Sequence, residues 1–245
     1  MSEGTLKQIL LITDGCSNEG KDPVAVAAMA REQQITVNVI GILDDGQLGE
    51  QGIREVQEIA AAAGGIHQVV YSRELPKTVQ MVTRQAMTQT IQQVVNKELQ
   101  QILGREQSVE ALPPDKRGQV VEVVEHLGET LALDVLILVD TSASMKNKIP
   151  AVKQALRDLK LSLQSRTGEN RFSLWTYPYA GGYAYKHMDF STELDALDRA
   201  FGQLTAQGTT PTGPALEEVL YYFTGLTLSK RRDDDDEGML RRYVF

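Results

Sequence analysis

The chain opens with apolar stretches of two kinds that alternate. QILLIT (8–13) is a short continuous apolar run closed by Asp14-Gly15, the pattern of a strand buried on both faces. Asp22-Pro23 predicts a helix start, with Asp as the cap and Pro in the first turn. ITVNVIGIL (35–43) is β-branched and strand-like. Ile53, Val56, Ile59, Ala60 and Ala63 follow at helical spacing until Gly64-Gly65, and IHQVVY (66–71) reads as a third strand. Strand and helix alternating at this spacing predict right-handed crossovers and a parallel sheet.

From 76 to 131 the strand pattern is absent. Leu75, Val79, Val82 and Ala86, then Met87, Ile91, Val94, Leu99 and Ile102, predict one long Gln-rich amphipathic helix. Its stripe drifts, which argues for packing on its own domain rather than a coiled coil. Pro113-Pro114-Asp115 breaks the chain, and Val120, Val123, Val124 and Leu127 predict a shorter helix. These helices read as a connector or a packing arm.

The α/β pattern resumes at 132. DVLILV (134–139) is a buried strand ending at Asp140, and Val152, Ala155, Leu156, Leu159 and Leu163 form a helix with Pro150 at its start. RFSLWTY (171–177) and AYKHMDF (184–190) predict a strand pair around the Pro178–Gly182 turn. Two more helices are expected at 192–204 and 214–223. The end, RRDDDDEGMLRRYVF, is a mixed charge run without the spacing of an EF-hand, and is expected to be solvated.

Composition narrows the function classes. Among 245 residues, 25 Lys and Arg stand against 33 Asp and Glu, a formal net charge of −8. No basic field draws phosphate in, so nucleic acid is not the expected partner. The single Cys16 excludes an internal disulfide framework and fits a reducing compartment; with no paired His or second Cys, it receives no catalytic role. No run approaches the roughly 18 apolar residues of a membrane span, and MSEGTLKQILLITDG lacks the pattern of a signal peptide. The expectation is a cytoplasmic protein.

Three fragments carry candidate chemistry: Asp140-Thr141-Ser142-Ala143-Ser144, Gly208-Thr209-Thr210-Pro211-Thr212-Gly213, and Thr13-Asp14-Gly15. The first places one carboxylate and two hydroxyls at alternate positions directly after a buried strand. Such a turn can aim three oxygens at one spot above the carboxyl edge of a sheet, where α/β folds hold ligands. An all-oxygen set with few charges suits a hard cation, Mg²⁺ first, with Mn²⁺ or Ca²⁺ as alternatives. Plainer readings exist. Ser142 and Ser144 can cap the following helix, Asp14 can belong to an ordinary Asp-Gly turn, and Thr212 reads as a helix cap. His67, His126 and His187 are scattered singly and read as surface or core positions.

These fragments resemble the von Willebrand factor A (vWA) family and its metal-ion-dependent adhesion site (MIDAS). Asp140, Ser142 and Ser144 match the family's Asp-x-Ser-x-Ser, Thr210 matches its loop threonine, and Asp14 matches the Asp that ends its next central strand. The order is inverted: residues 132–224 resemble the first half of a vWA domain and 1–75 its second half. The chain as a whole is similar to YabS-type vWA proteins of spore-forming bacteria. The resemblance implies a doubly wound, mostly parallel, Rossmann-like α/β sheet of permuted halves. Residues 76–131 then form a helical connector and 225–245 a charged tail. The family's strands place 9–13 and 134–139 side by side. Each would otherwise leave a bare apolar edge, so they must join, either within one chain or through head-to-tail exchange between chains.

The resemblance also implies a function. The metal set is Asp140, Ser142, Ser144 and Thr210, with Asp14 reached through water, and a partner protein's Glu or Asp fills the open position. Some family members work beside AAA+ ATPases of the MoxR type, which makes such an ATPase a candidate partner. The rival class is a Mg²⁺-dependent phosphohydrolase of the haloacid dehalogenase type, which needs a second Asp two positions on for acid–base work. Here that position is Ser142. A P-loop NTPase is excluded by the absence of GxxxxGK[ST]. A third reading has degenerate vWA halves that hold no metal and act as an interaction protein.

Overall fold

Two strands with almost no exposed side chains organise the molecule. β1 (Thr5–Thr13) and β4 (Ala132–Asp140) lie side by side and parallel, with Gln8 opposite Val135 and Ile12 opposite Val139. Both are apolar on both faces because both faces are covered. Leu10, Ile12, Val135, Ile137 and Val139 belong to one core layer; Ile9, Leu11, Leu136 and Leu138 belong to the other. The pairing expected between residues 9–13 and 134–139 is therefore present, and it forms within one chain.

The computed structural model describes residues 4–43, 49–103, 112–193, 199, 206 and 208–225. Around the central pair, β2 (Thr36–Leu43) and β3 (His67–Tyr71) extend the sheet on the β1 side. β5 (Asn170–Tyr177) and β6 (Tyr185–Ser191) extend it on the β4 side. The order is β3-β2-β1-β4-β5-β6, all parallel except the antiparallel β5–β6 pair. This is the doubly wound order, and its switch point, where ligands bind beyond the strands' carboxyl ends, falls between β1 and β4.

The described helices cover both faces. α1 (Pro23–Glu32), α2 (Glu50–Ala62) and α6 (Thr212–Thr224) pack against the layer that contains Leu138. α3 (Leu75–Leu103), α4 (Pro114–Thr130) and α5 (Ile149–Leu163) cover the other. The Asp22 carboxylate caps α1 by accepting from the Val24 amide at 2.9 Å, with Pro23 following as expected.

α3 packs on its own domain as its drifting stripe led us to expect, with Leu75, Val79, Val82, Ala86 and Ile91 buried in the core, and α4 joins it in that layer; other details differ from the sequence expectation. The 29-residue helix is about 43 Å long, and Val94 is exposed because Ile91 and, one helical step further on, Val95 take the inward face. α4 begins at Pro114, two turns before its first apolar position, because its exposed first turns need no apolar residue. Most of the helix expected at 192–204, and the tail after 225, lie outside the described residues. No helix among the described residues is long and apolar enough to cross a membrane.

Leu138 has no exposed surface. Leu138→Ala should cost about 2–5 kcal/mol, read from urea denaturation, because a closed layer cannot collapse onto the cavity. A loss below about 1 kcal/mol would mean that this face is not packed.

Candidate metal centre

The carboxyl ends of β1 and β4 bring together residues far apart in the chain. β4 ends at Asp140, which is completely buried, and β1 ends at Thr13, with Asp14 one residue beyond. Thr13 Oγ1 donates to Asp140 Oδ2 at 2.7 Å, and the Ser142 amide donates to Asp140 Oδ1 at 2.8 Å. Ser142 Oγ and Ser144 Oγ share a hydrogen bond at 3.1 Å, and Ser144 Oγ donates to Asp14 Oδ1 at 2.7 Å. Lys148 Nζ then donates to Asp14 Oδ2 at 2.6 Å. The result is a cluster of hydroxyls and carboxylates that spans both strand ends.

The local chain explains how these groups converge. Thr141 turns away and clamps β5: its amide and its Oγ1 both donate to the Tyr177 carbonyl, at 2.6 and 2.9 Å. That leaves Ser142 and Ser144 on the other side of a 3-10 turn, Ala143–Asn147. Neither serine acts as a side-chain cap. Ser142 makes no capping bond for the turn, and the N-cap of α5 is Lys148, also without one. The hydroxyls face the cluster instead.

Thr210 sits beside the cluster rather than within its hydrogen bonds. It is buried, its amide donates to Asn18 Oδ1 at 3.0 Å, and its carbonyl accepts from the Asn18 amide at 3.2 Å. A methyl group on Gly15 would stand 3.9 Å from Thr210 Oγ1, so the threonine flanks the loop that carries Asp14. Gly213 lets the start of α6 lie against the chain before α1: a Cβ there would fall 1.7 Å from the Lys21 carbonyl oxygen. Thr212 is not a cap but the first residue of α6, with its hydroxyl 3.3 Å from the Tyr177 hydroxyl.

The electrostatics favour added positive charge. Burial, with Asp14 adding to it, pushes the Asp140 carboxyl from 3.8 up to about 6, against the lowering effect of its bonds from Ser142 and Thr13. A carboxylate removed from water and facing a second carboxylate is one that a cation would stabilise. No group of three or more His, Cys, Asp or Glu arranged for a metal occurs among the described residues. An ion here would therefore rest on two carboxylates and on hydroxyls, an all-oxygen donor set suited to a hard divalent ion. Cys16 follows the Asp14 turn, and burial, with Glu55 adding to it, raises its thiol, the opposite of what activates a thiolate.

Thr13, Lys148 and Asn18 are the residues that sequence reasoning did not single out. Thr13 lay inside a quoted fragment, yet a β-branched residue at a strand end carries no mark of such a bond. Lys148 follows a polar turn and reads as an ordinary solvated lysine.

Residues 1–85 match the von Willebrand factor type A domain. The chain is 52% identical over 237 residues to "Uncharacterized protein YabS" of Bacillus subtilis (strain 168), covering 97% of each chain. It is also similar to a crystal structure of an uncharacterized protein from Alicyclobacillus acidocaldarius: 44% identity, TM-score 0.81, covering 94% of this chain and 96% of that one.

Proposed function

The chain belongs to the von Willebrand factor type A family, and on that premise we propose that it is a metal-dependent protein-binding module. Its two halves are read as a circularly permuted vWA domain, joined at the β1–β4 pair. Asp140, Ser142 and Ser144 hold a Mg²⁺-type ion, Mn²⁺ or Ca²⁺ being the alternatives, with Asp14 and Thr210 completing the MIDAS set. A Glu or Asp side chain from a partner protein takes the remaining position.

One observation carries this reading: Asp14 and Asp140 are joined through Ser142 and Ser144 at the switch point of the sheet. Nothing about folding alone requires two carboxylates to meet at a largely buried spot. The bound ion supplies Lewis acidity toward an anionic ligand; the protein's part is to position oxygens and to spare the ion from neutralisation by its own carboxylates. The net charge of −8 gives no long-range attraction to an acidic partner, so the ion must supply the local reversal of sign. The resemblance suggests an AAA+ ATPase of the MoxR type as a first partner to try.

The test is co-purification from the native host with Mg²⁺, repeated with EDTA, alongside a phosphatase assay. Bound proteins that EDTA releases, with no turnover, support the module. Partners unaffected by EDTA would overturn the metal bridge, and Mg²⁺-dependent hydrolysis would favour the enzyme. Thr210→Ala should weaken partner capture by roughly tenfold while changing Mg²⁺ affinity by less than about threefold. Thr210 makes no hydroxyl bond into the Asp140 cluster, and in the family this loop responds to the bound ligand. Equal losses of both affinities would assign Thr210 to the ion alone.

A further inference from the structure

Lys148 is a buried ammonium at a position where a metal-binding pattern calls for none. It follows Ser144 by four residues at the end of the 3-10 turn, and its Nζ ion-pairs with Asp14 Oδ2 at 2.6 Å. The two side chains are nearly withdrawn from solvent, 9% and 0% exposed. Taking both charges out of water costs more than a buried pair usually returns, so stability is a weak reason for the arrangement.

The charge count offers a better one. Asp140 and Asp14 contribute −1 each and Lys148 +1, a sum of −1. A divalent ion would bring the site to +1, which one external carboxylate neutralises. With a neutral side chain at 148, the same ion would already be neutralised by Asp140 and Asp14. Glu55, which accepts from the Ser17 amide at 2.8 Å, is common to every variant compared and drops out of the differences.

We infer that Lys148 is the specificity-determining residue of this site: by pairing with Asp14 it leaves a bound ion one positive charge in excess, and so selects a partner that presents a single carboxylate. This rests on the metal-binding reading above. It predicts that metal affinity and carboxylate affinity move in opposite directions when the charge is removed, which loss of packing would not produce.

The experiment compares wild type, K148M, K148R and the double variant D14N/K148M. Mg²⁺ affinity is measured by calorimetry, and acetate binding to the Mn²⁺-loaded protein by water-proton relaxation. K148M should bind Mg²⁺ tighter and acetate weaker, each by on the order of tenfold, as expected for a unit charge removed a few ångströms from a partly screened ion. K148R keeps the charge and should match wild type. D14N/K148M restores the sum of −1 with a neutral pair and should recover wild-type acetate affinity. It and K148R carry the test if K148M does not fold. Mg²⁺ affinity unchanged or weakened in K148M, or a double variant that fails to recover acetate, would overturn the role of Lys148. Absence of metal binding in wild type would instead overturn the metal-binding reading, and this inference with it.

Discussion

Replacing Asp140 with Asn should abolish Mg²⁺ binding and at the same time make the metal-free protein more stable. Asp140 is completely buried, and burial pushes its carboxyl from 3.8 up to about 6. A carboxyl raised in this way binds its proton more readily in the folded state than in the unfolded chain. Its stabilising contribution is therefore full below about pH 4 and is lost as the pH rises through about 6. At neutral pH, the rise from 3.8 to about 6 corresponds to about 3 kcal/mol, an upper figure for what the neutral side chain regains. Asn preserves the local bonds: its oxygen still accepts from the Ser142 amide, and the Thr13 hydroxyl can turn to accept from its amide nitrogen. Urea denaturation in EDTA should show a gap in favour of the variant that opens as the pH rises from about 4 to about 7. Added Mg²⁺ should stabilise wild type alone. A variant less stable than wild type at neutral pH would refute the electrostatic account of this residue.

Asp14→Ala should have the opposite effect on stability. Asp14 gives one oxygen to Ser144 and the other to Lys148, and the substitution removes the carboxylate 2.6 Å from a buried ammonium. Breaking one side of a buried pair costs about 3 kcal/mol or more, because the remaining charge keeps its desolvation penalty. For a chain of this length that corresponds to a fall in Tm of roughly 10 °C. Adding Lys148→Met to Asp14→Ala should return much of the loss, since both halves of the pair are then removed together. Thermal denaturation of wild type, the single variant and the double variant decides the point. An Asp14→Ala protein that melts with wild type would show that the ion pair makes no net contribution.

These two carboxylates also mark how far the sequence could be read. Unbroken apolar runs at 8–13 and 134–139 announced doubly covered strands, and an Asp beyond each announced a common site. Together with the vWA resemblance, which implies that these strands are neighbours, burial on both faces and an otherwise bare edge led to the expected β1–β4 pair. The serines of the Asp140 turn were open to two readings, cap or cluster, since a hydroxyl's orientation depends on where Thr141 anchors the turn. That anchor, the Tyr177 carbonyl, belongs to a strand more than thirty residues on. Lys148 was hidden for the same reason: only the fold shows that it reaches Asp14, at a separation of 134 residues. The exposure of Val94 was equally illegible, because with two valines in succession periodicity did not record that Val95 rather than Val94 turns to the core.

The central claim, that the oxygens gathered at the β1–β4 switch point hold a divalent ion, is tested most directly by a crystal grown with Mn²⁺ and measured for anomalous scattering. The account predicts a single strong peak roughly 2 Å from an Asp140 carboxylate oxygen and from the hydroxyls of Ser142 and Ser144. Saturating Mn²⁺ that leaves this position without a peak, or places its strong peak elsewhere, would contradict it.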